Sequence, residues 1–191
     1  MIEEIKEKAL KEDVPIIKDD GLIFLLKLIK DRKCKNILEL GTAVGYSSIN
    51  MAKLGKDIHI DTLERNEDMY KQAIVNIKNE GLDDQISVFF TVIEEFKTDK
   101  KYDLIFVDAA KAQYGKYTEQ FLENLEKDGV FVYDNMIFHS LVYDVENIES
   151  RSLRSLVRKI KAFGENMRND KRFDIIFYED VGDGILVASR R

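Results

Sequence analysis

Short apolar runs recur along this chain, and segments with helical patterning separate them. "NILEL" (residues 36–40), "IHIDTLE" (58–64), "ISVFF" (86–90), "YDLIFVD" (102–108) and "GVFVYDN" (129–135) each read as a buried strand. Helical spacing fills residues 46–53, 66–80 and 113–126 between them, with Asn66 as an N-cap. Strands that alternate with helices build βαβ units and a mostly parallel sheet covered on both faces. A helix over residues 150–167 follows, and "FDIIFY" and "GILVAS" close the chain as a hairpin through Gly182 and Gly184. The expected fold is α/β: a doubly wound, mostly parallel, Rossmann-like seven-stranded sheet with an antiparallel C-terminal edge. Ile2, Ile5, Ala9 and Leu10 have helical spacing, and a second helix is expected over residues 19–29. The organisation is one domain over residues 1–191, with N-terminal helices in 1–30 and the core in 36–191.

Composition narrows the class. At 191 residues and 45% hydrophobic content the chain can bury a sizeable core. A net charge of -6 argues against a general nucleic-acid coat, though not against a local basic patch. The single cysteine, Cys34, excludes an intramolecular disulfide and a cysteine zinc cluster. The charged N-terminus lacks an apolar signal region, and no apolar run reaches membrane-spanning length. The expectation is a cytoplasmic protein without a membrane partner.

In doubly wound sheets ligands bind beyond the carboxyl ends of the strands. The first strand ends in "ELGTAVGYSS", where Gly41 and Gly45 permit a tight turn against a ligand. That spacing is neither the dinucleotide fingerprint nor a P-loop. Glu64 at the second tip can accept both hydroxyls of a ribose; its alternative role is a solvated carboxylate capping the next helix. Asp108, Asp134 and Asn135 at the fourth and fifth tips form an oxygen-rich set suited to a hard divalent cation such as Mg²⁺. Loop-capping acids are the alternative. Lys111, one turn beyond Asp108, is a candidate general base or else a simple ion-pair partner.

"ILELGTAVGYSS", "FVDAAKAQY", "VYDNMIF" and "VGDGILVA" resemble the cation-dependent class I O-methyltransferases, the group of catechol and caffeoyl-CoA O-methyltransferases. "VPII", "ERNEDMYKQAIVNIK" and "VGDGI" resemble most its bacterial tRNA 5-hydroxyuridine methyltransferase branch. The resemblance implies S-adenosylmethionine (SAM) as methyl donor and a homodimer. It places Glu39, Gly41 and Ser47 at the donor's methionine half, the Ile16 backbone at its carboxylate and Glu64 at its ribose. Asp108, Asp134 and Asn135 would hold Mg²⁺, with Asp108 and Lys111 in the catalytic roles. One departure stands out. Relatives carry Gly-Asp-Ala after the third strand, where this chain has Thr91, Val92 and Ile93. The lost side-chain bond to adenine is worth roughly 0.5–1.5 kcal/mol, and Val92 and Ile93 are left to sandwich the ring.

Two acceptors suit a cation with two open positions: a catechol, and 5-hydroxyuridine with its neighbouring 4-carbonyl. Arg151, Arg154, Arg158 and Lys161 share one face of the last helix, where they can grip an RNA backbone or simply face water. An acceptor base would stack on Tyr114 or Phe138. The leading expectation is Mg²⁺-dependent methylation of 5-hydroxyuridine in tRNA, giving 5-methoxyuridine. The alternatives are a small-molecule catechol-type O-methyltransferase and a nucleoside-binding protein without catalysis.

Overall fold

The computed structural model describes residues 2–191. Its centre is a seven-stranded sheet in the order β3-β2-β1-β4-β5-β7-β6. The strands are β1 (Asn36–Leu40), β2 (His59–Glu64), β3 (Ile86–Phe90), β4 (Tyr102–Val107), β5 (Leu125–Tyr133), β6 (Phe173–Tyr178) and β7 (Ile185–Arg190). β1 through β5 pair in parallel, whereas β7 runs antiparallel to both β5 and β6. The doubly wound expectation and its antiparallel C-terminal edge are both borne out.

Side chains of a strand point alternately to the two faces, so a continuous apolar run feeds two cores. In β4, Leu104 and Phe106 join one core; Ile105 and Val107 join the other. The first core is closed by α1 (Ile2–Lys11), α2 (Asp19–Arg32), α3 (Tyr46–Ala52) and α4 (Glu67–Asn79), through Ala9, Leu25, Ile49 and Ala73 among others. The second is closed by α5 (Tyr114–Phe121) and α6 (Arg151–Asn169), through Tyr117, Phe121, Val157 and Ile160. Among the described residues no helix is long and apolar enough to cross a membrane.

One element differs from its sequence pattern. Helical spacing runs to residue 126, but α5 stops at Phe121, a 3₁₀ turn covers Leu122–Asn124 and β5 already begins at Leu125. Leu125 pairs with Tyr102, and the register then shifts before Val130 meets Leu104. The apolar residues 121, 122 and 125 mimic a helical stripe while they pack in the second core as a turn and a strand start.

Register places the strand tips in one row. Leu40 lies opposite both Leu63 and Val107, and Val107 lies opposite Tyr133. The residues that follow, Gly41, Asp108 and Asp134, therefore leave the sheet together with Glu64. The strand order reverses between β1 and β4, so the row spans the switch point.

Candidate active site

A cleft of about 870 Å³ opens above that row. Its walls include Ile16 and Lys18 from the α1–α2 connection, Gly41–Ala43 and Ser47 after β1, and Glu64. Thr91, Ile93 and Glu94 follow β3, and Asp108, Lys111, Asp134, Asn135, Phe138 and His139 complete the far end. The volume falls within the usual 300–1,000 Å³ of small-molecule and cofactor sites.

The Gly41 turn is set by close backbone approach. Gly41 has φ +106°, and a Cβ there would lie 2.3 Å from the carbonyl oxygen of Asp108. Its N–H donates to Leu63 O at 3.2 Å, and Asp108 N–H donates to Leu40 O at 3.0 Å. The glycine loop and the Asp108 tip are thus one unit. Glu64 braces the loop from the other side: its Oε2 accepts Ala43 N–H at 2.8 Å, and its Oε1 accepts Asn66 N–H at 2.7 Å. The helix cap is Asn66 itself, whose side chain accepts from Asp68 N and Met69 N. Glu64 thus remains in the cleft wall with acceptor capacity left for a hydroxyl pair.

Glu39 lies elsewhere than the resemblance placed it. It is fully buried beneath the cleft floor and does not line the cleft. Strand alternation turns it toward α3, where its carboxylate accepts from the hydroxyls of Ser47 and Ser48 and from Thr62 Oγ1 at 2.6 Å. Thr62 Oγ1 is also 2.7 Å from Thr42 Oγ1. Glu39 holds the floor, and Ser47 carries that order to the cleft. Burial pushes its carboxyl up to about 7, against the pull of the three hydroxyls. A carboxyl raised on folding stabilises the fold fully below its unfolded value, near 4.5, and that stability is lost as pH rises through 7. Glu39→Gln removes this titration. Its stability relative to wild type should therefore rise by about 3 kcal/mol between pH 4 and pH 8, read from urea melts across pH.

The β3 tip also departs from expectation. Ile93 lines the cleft, but Val92 does not; Thr91 and Glu94 take part instead. Val92 is the extended residue that precedes a 3₁₀ turn over Ile93–Glu95. The β3 side of the cleft is lined by Thr91, Ile93 and Glu94.

At the far end, the Asp134 side chain is buried and the Asp108 side chain is a quarter exposed at the cleft floor. Burial raises both carboxyls above their ordinary values. Asp134 reaches about 7, with the Asp108 charge as the second cause. Asn135 follows with φ +55°, and its N–H donates to Asp134 Oδ1 at 2.7 Å. Lys111 starts a 3₁₀ turn rather than a helix; its Nζ lies 4.0 Å from Asp108 Oδ1 and 5.9 Å from the centroid of the Phe138 ring. Among the described residues no three His, Cys, Asp or Glu side chains cluster as metal ligands. The oxygen set is therefore two carboxylates and the Asn135 amide. Two acids raised by burial, Asp134 further by the charge of Asp108, form a site whose charge a divalent cation relieves, so the donor chemistry fits Mg²⁺.

Tyr114 is not an aromatic platform. It is fully buried, and its hydroxyl donates to the Asp134 carbonyl at 3.0 Å. Phe138 alone of the two expected rings faces the cleft. Phe138, His139 and Ser140 all have left-handed backbone, with φ of 44°, 56° and 64°. Each such non-glycine residue costs about 1–3 kcal/mol. Sequence reasoning missed Tyr114 as a backbone clamp and missed this loop; "DAAKAQY" and "VYDNMIF" mark the segments without giving their conformation.

The basic face of α6 is partly engaged. Arg151, Arg154, Ser155, Arg158, Lys159 and Ala162 line a shallow groove, with Lys159 in the place expected for Lys161. Arg154 donates from Nε and Nη2 to Ile148 O, at 2.8 and 2.5 Å. Arg158 pairs with both oxygens of Glu146, at 3.0 and 2.9 Å.

An O-methyltransferase family model matches residues 1–191 of the chain. The chain belongs to the O-methyltransferase family. The expectation of a SAM-dependent O-methyltransferase is borne out at that level. A caffeoyl-CoA O-methyltransferase of Populus kitakamiensis is 28% identical over 205 residues, covering 99% of this chain and 86% of that one. A Staphylococcus aureus crystal structure described as a "putative caffeoyl-CoA O-methyltransferase" is 34% identical with TM-score 0.95, covering 100% of this chain and 92% of the other. A Bacillus cereus O-methyltransferase solved in complex with SAH is 26% identical with TM-score 0.83, covering 100% and 90%. As a member of this family, the chain reads its cleft in two parts: Gly41–Ala43, Glu64 and Ile93 at one end, Asp108, Lys111, Asp134 and Asn135 at the other.

Proposed function

We propose that the protein transfers a methyl group from SAM to one of two adjacent oxygens on a small catechol-type acceptor, with a divalent cation held by Asp108, Asp134 and Asn135. The observation that supports this most is the shared cleft: one end walled by Gly41–Ala43 and Glu64, and beside it two carboxylates raised by burial, an amide and an amine. The relatives named caffeoyl-CoA O-methyltransferase favour a vicinal-oxygen small molecule.

When bound, the cation supplies Lewis-acid stabilisation of an acceptor oxygen as its anion. The chain's own residues do the remainder. Lys111 Nζ stands beside Asp108 and takes the hydroxyl proton. The Phe138 ring, under the same amine, gives a flat wall for an aromatic acceptor. Glu64 and the Ile16 backbone orient the donor so that its methyl faces the acceptor, and such orientation can supply ~7–11 kcal/mol. The bond from the donor sulfur to its methyl breaks as the oxygen–methyl bond forms, leaving a neutral thioether.

A second reading keeps the same chemistry with 5-hydroxyuridine in tRNA as acceptor, by homodimers in the cell cytoplasm. The α6 groove favours it, because Arg151 and Lys159 remain beside the two engaged arginines. The deciding experiment is methyl transfer from labelled SAM, with Mg²⁺ and then with chelator. The acceptors are a simple catechol, tRNA carrying 5-hydroxyuridine and tRNA with plain uridine. Cation-dependent label in catechol is the expected result. Label confined to hydroxylated tRNA overturns the small-molecule reading in favour of the second, and label that persists in chelator overturns the cation.

A further inference from the structure

Three distant parts of the chain meet beside the acceptor end of the cleft. Asp183, in the turn between β6 and β7, is 2% exposed. Both of its carboxylate oxygens accept the backbone N–H of His139, at 2.9 Å each. Lys18 Nζ lies 3.7 Å from Oδ1, and His139 Nδ1 lies 3.6 Å from Oδ2. A buried carboxylate is tolerated only with such partners. The N–H it holds belongs to the middle residue of the left-handed run Phe138–His139–Ser140. Backbone of that kind persists only where the surroundings over-determine it.

The same turn grips the loop at two further points. Met136 N–H donates to Gly184 O at 2.8 Å, and Ile137 N–H donates to Asp183 O at 2.9 Å. A Cβ on Gly184 would lie 2.8 Å from Ile137 N, so turn and loop touch backbone to backbone. On its other side the turn binds the end of the α1–α2 connection and the first turn of α2. Lys18 Nζ donates to Gly182 O at 3.3 Å, and Gly182 N–H donates to Asp20 Oδ2 at 2.9 Å. Lys18, Phe138 and His139 all line the cleft, whereas Asp183 does not.

We propose that Asp183 is a positioning residue for the acceptor: it holds the 135–140 loop in the left-handed form that keeps Phe138 in the cleft beside Lys111, and it ties that loop to Lys18. This rests on the reading that the Lys111 end of the cleft takes the acceptor. Asp183 stands outside the cleft lining and acts through the loop. Its loss therefore acts on the acceptor wall and spares the Gly41–Glu64 end.

Asp183→Ala strands the His139 N–H, while Asp183→Asn keeps one oxygen for it. In Asp183→Ala the acceptor KM should rise about tenfold, the value of one lost hydrogen bond to a charged group. Its kcat and its SAH affinity should each stay within about twofold of wild type, and Asp183→Asn should recover most of the KM. Amide exchange in residues 136–142 should accelerate about tenfold in Asp183→Ala and less in Asp183→Asn, without change in β1 or β4. Unchanged exchange in that loop overturns the proposal, as does a parallel loss of KM, kcat and SAH binding in both variants. Exchange is read without acceptor, so faster loop exchange in an enzyme whose wild type methylates no acceptor supports the clamp and counts against the acceptor reading alone.

Discussion

Asp134→Asn is expected to be more stable than wild type above pH 7 in chelator and about a thousandfold less active when Mg²⁺ is restored. The stability half follows from burial. Asp134 is almost fully buried with its carboxyl raised to about 7, first by desolvation and then by the Asp108 charge. A raised carboxyl contributes stability below its unfolded value near 3.8, and that contribution is lost as pH rises through 7. Asparagine does not titrate, and it keeps an oxygen for the Asn135 N–H. The backbone carbonyl held by Tyr114 is also unchanged. The variant should therefore gain on the order of 4 kcal/mol over wild type between pH 4 and pH 8. The activity half follows from charge. A carboxylate lost from a set of two carboxylates and one amide weakens cation binding and oxyanion stabilisation; about 4 kcal/mol of either is a thousandfold. Urea melts with and without Mg²⁺, beside kcat/KM, read both halves. A variant that loses stability in chelator at pH 8, or that keeps wild-type kcat/KM, contradicts the assignment.

Gly41→Ala should remove SAH binding and cost about 3 kcal/mol or more. A Cβ at 2.3 Å from the Asp108 carbonyl oxygen is far inside contact distance, and that atom is backbone at the junction of two strands. Relief requires the β1 and β4 tips to part, which breaks the row on which donor and cation ends depend. Gly81→Ala provides the contrast. Gly81 also has a positive φ, +65°, but its Cβ would meet nothing within 4 Å. It should cost only the left-handed preference, about 1–2 kcal/mol, and leave SAH binding intact. Equal effects at the two positions would show that backbone strain, not the Asp108 contact, sets the penalty. Calorimetric titration with SAH and urea melts separate the outcomes.

The sheet was legible because its signals are local and repeated. Each apolar run between helical segments became a strand, and the carboxyl tips fell in one row because parallel register aligns them. Asp108, Lys111, Asp134, Asn135, Glu64 and Gly41 could be picked from position alone. What escaped depended on direction. Glu39 is the fourth residue of its strand, and period-two alternation aims it at α3 rather than at the cleft. Tyr114 looked like a platform because aromatic residues near a strand tip often are, yet it fills the core beneath Asp134. Arg154 and Arg158 share a helical face as expected, but the carbonyl of Ile148 and the carboxylate of Glu146 lie in the preceding loop, where helical spacing is silent. Asp183 sits in a glycine turn that reads as a simple hairpin until its partners 44 residues away are known.

The place of β7 has a consequence for synthesis. It lies between β5 and β6 although it is the last strand in sequence. Chains emerge N-terminus first and begin to fold as they do. Until residues 185–190 appear, β5 presents Val130–Tyr133 as an open, wholly apolar edge, the kind of surface that templates aggregation. A ribosome stalled shortly before that point would hold an adhesive chain in which β6, whose one neighbour in the sheet is β7, has no strand to pair with.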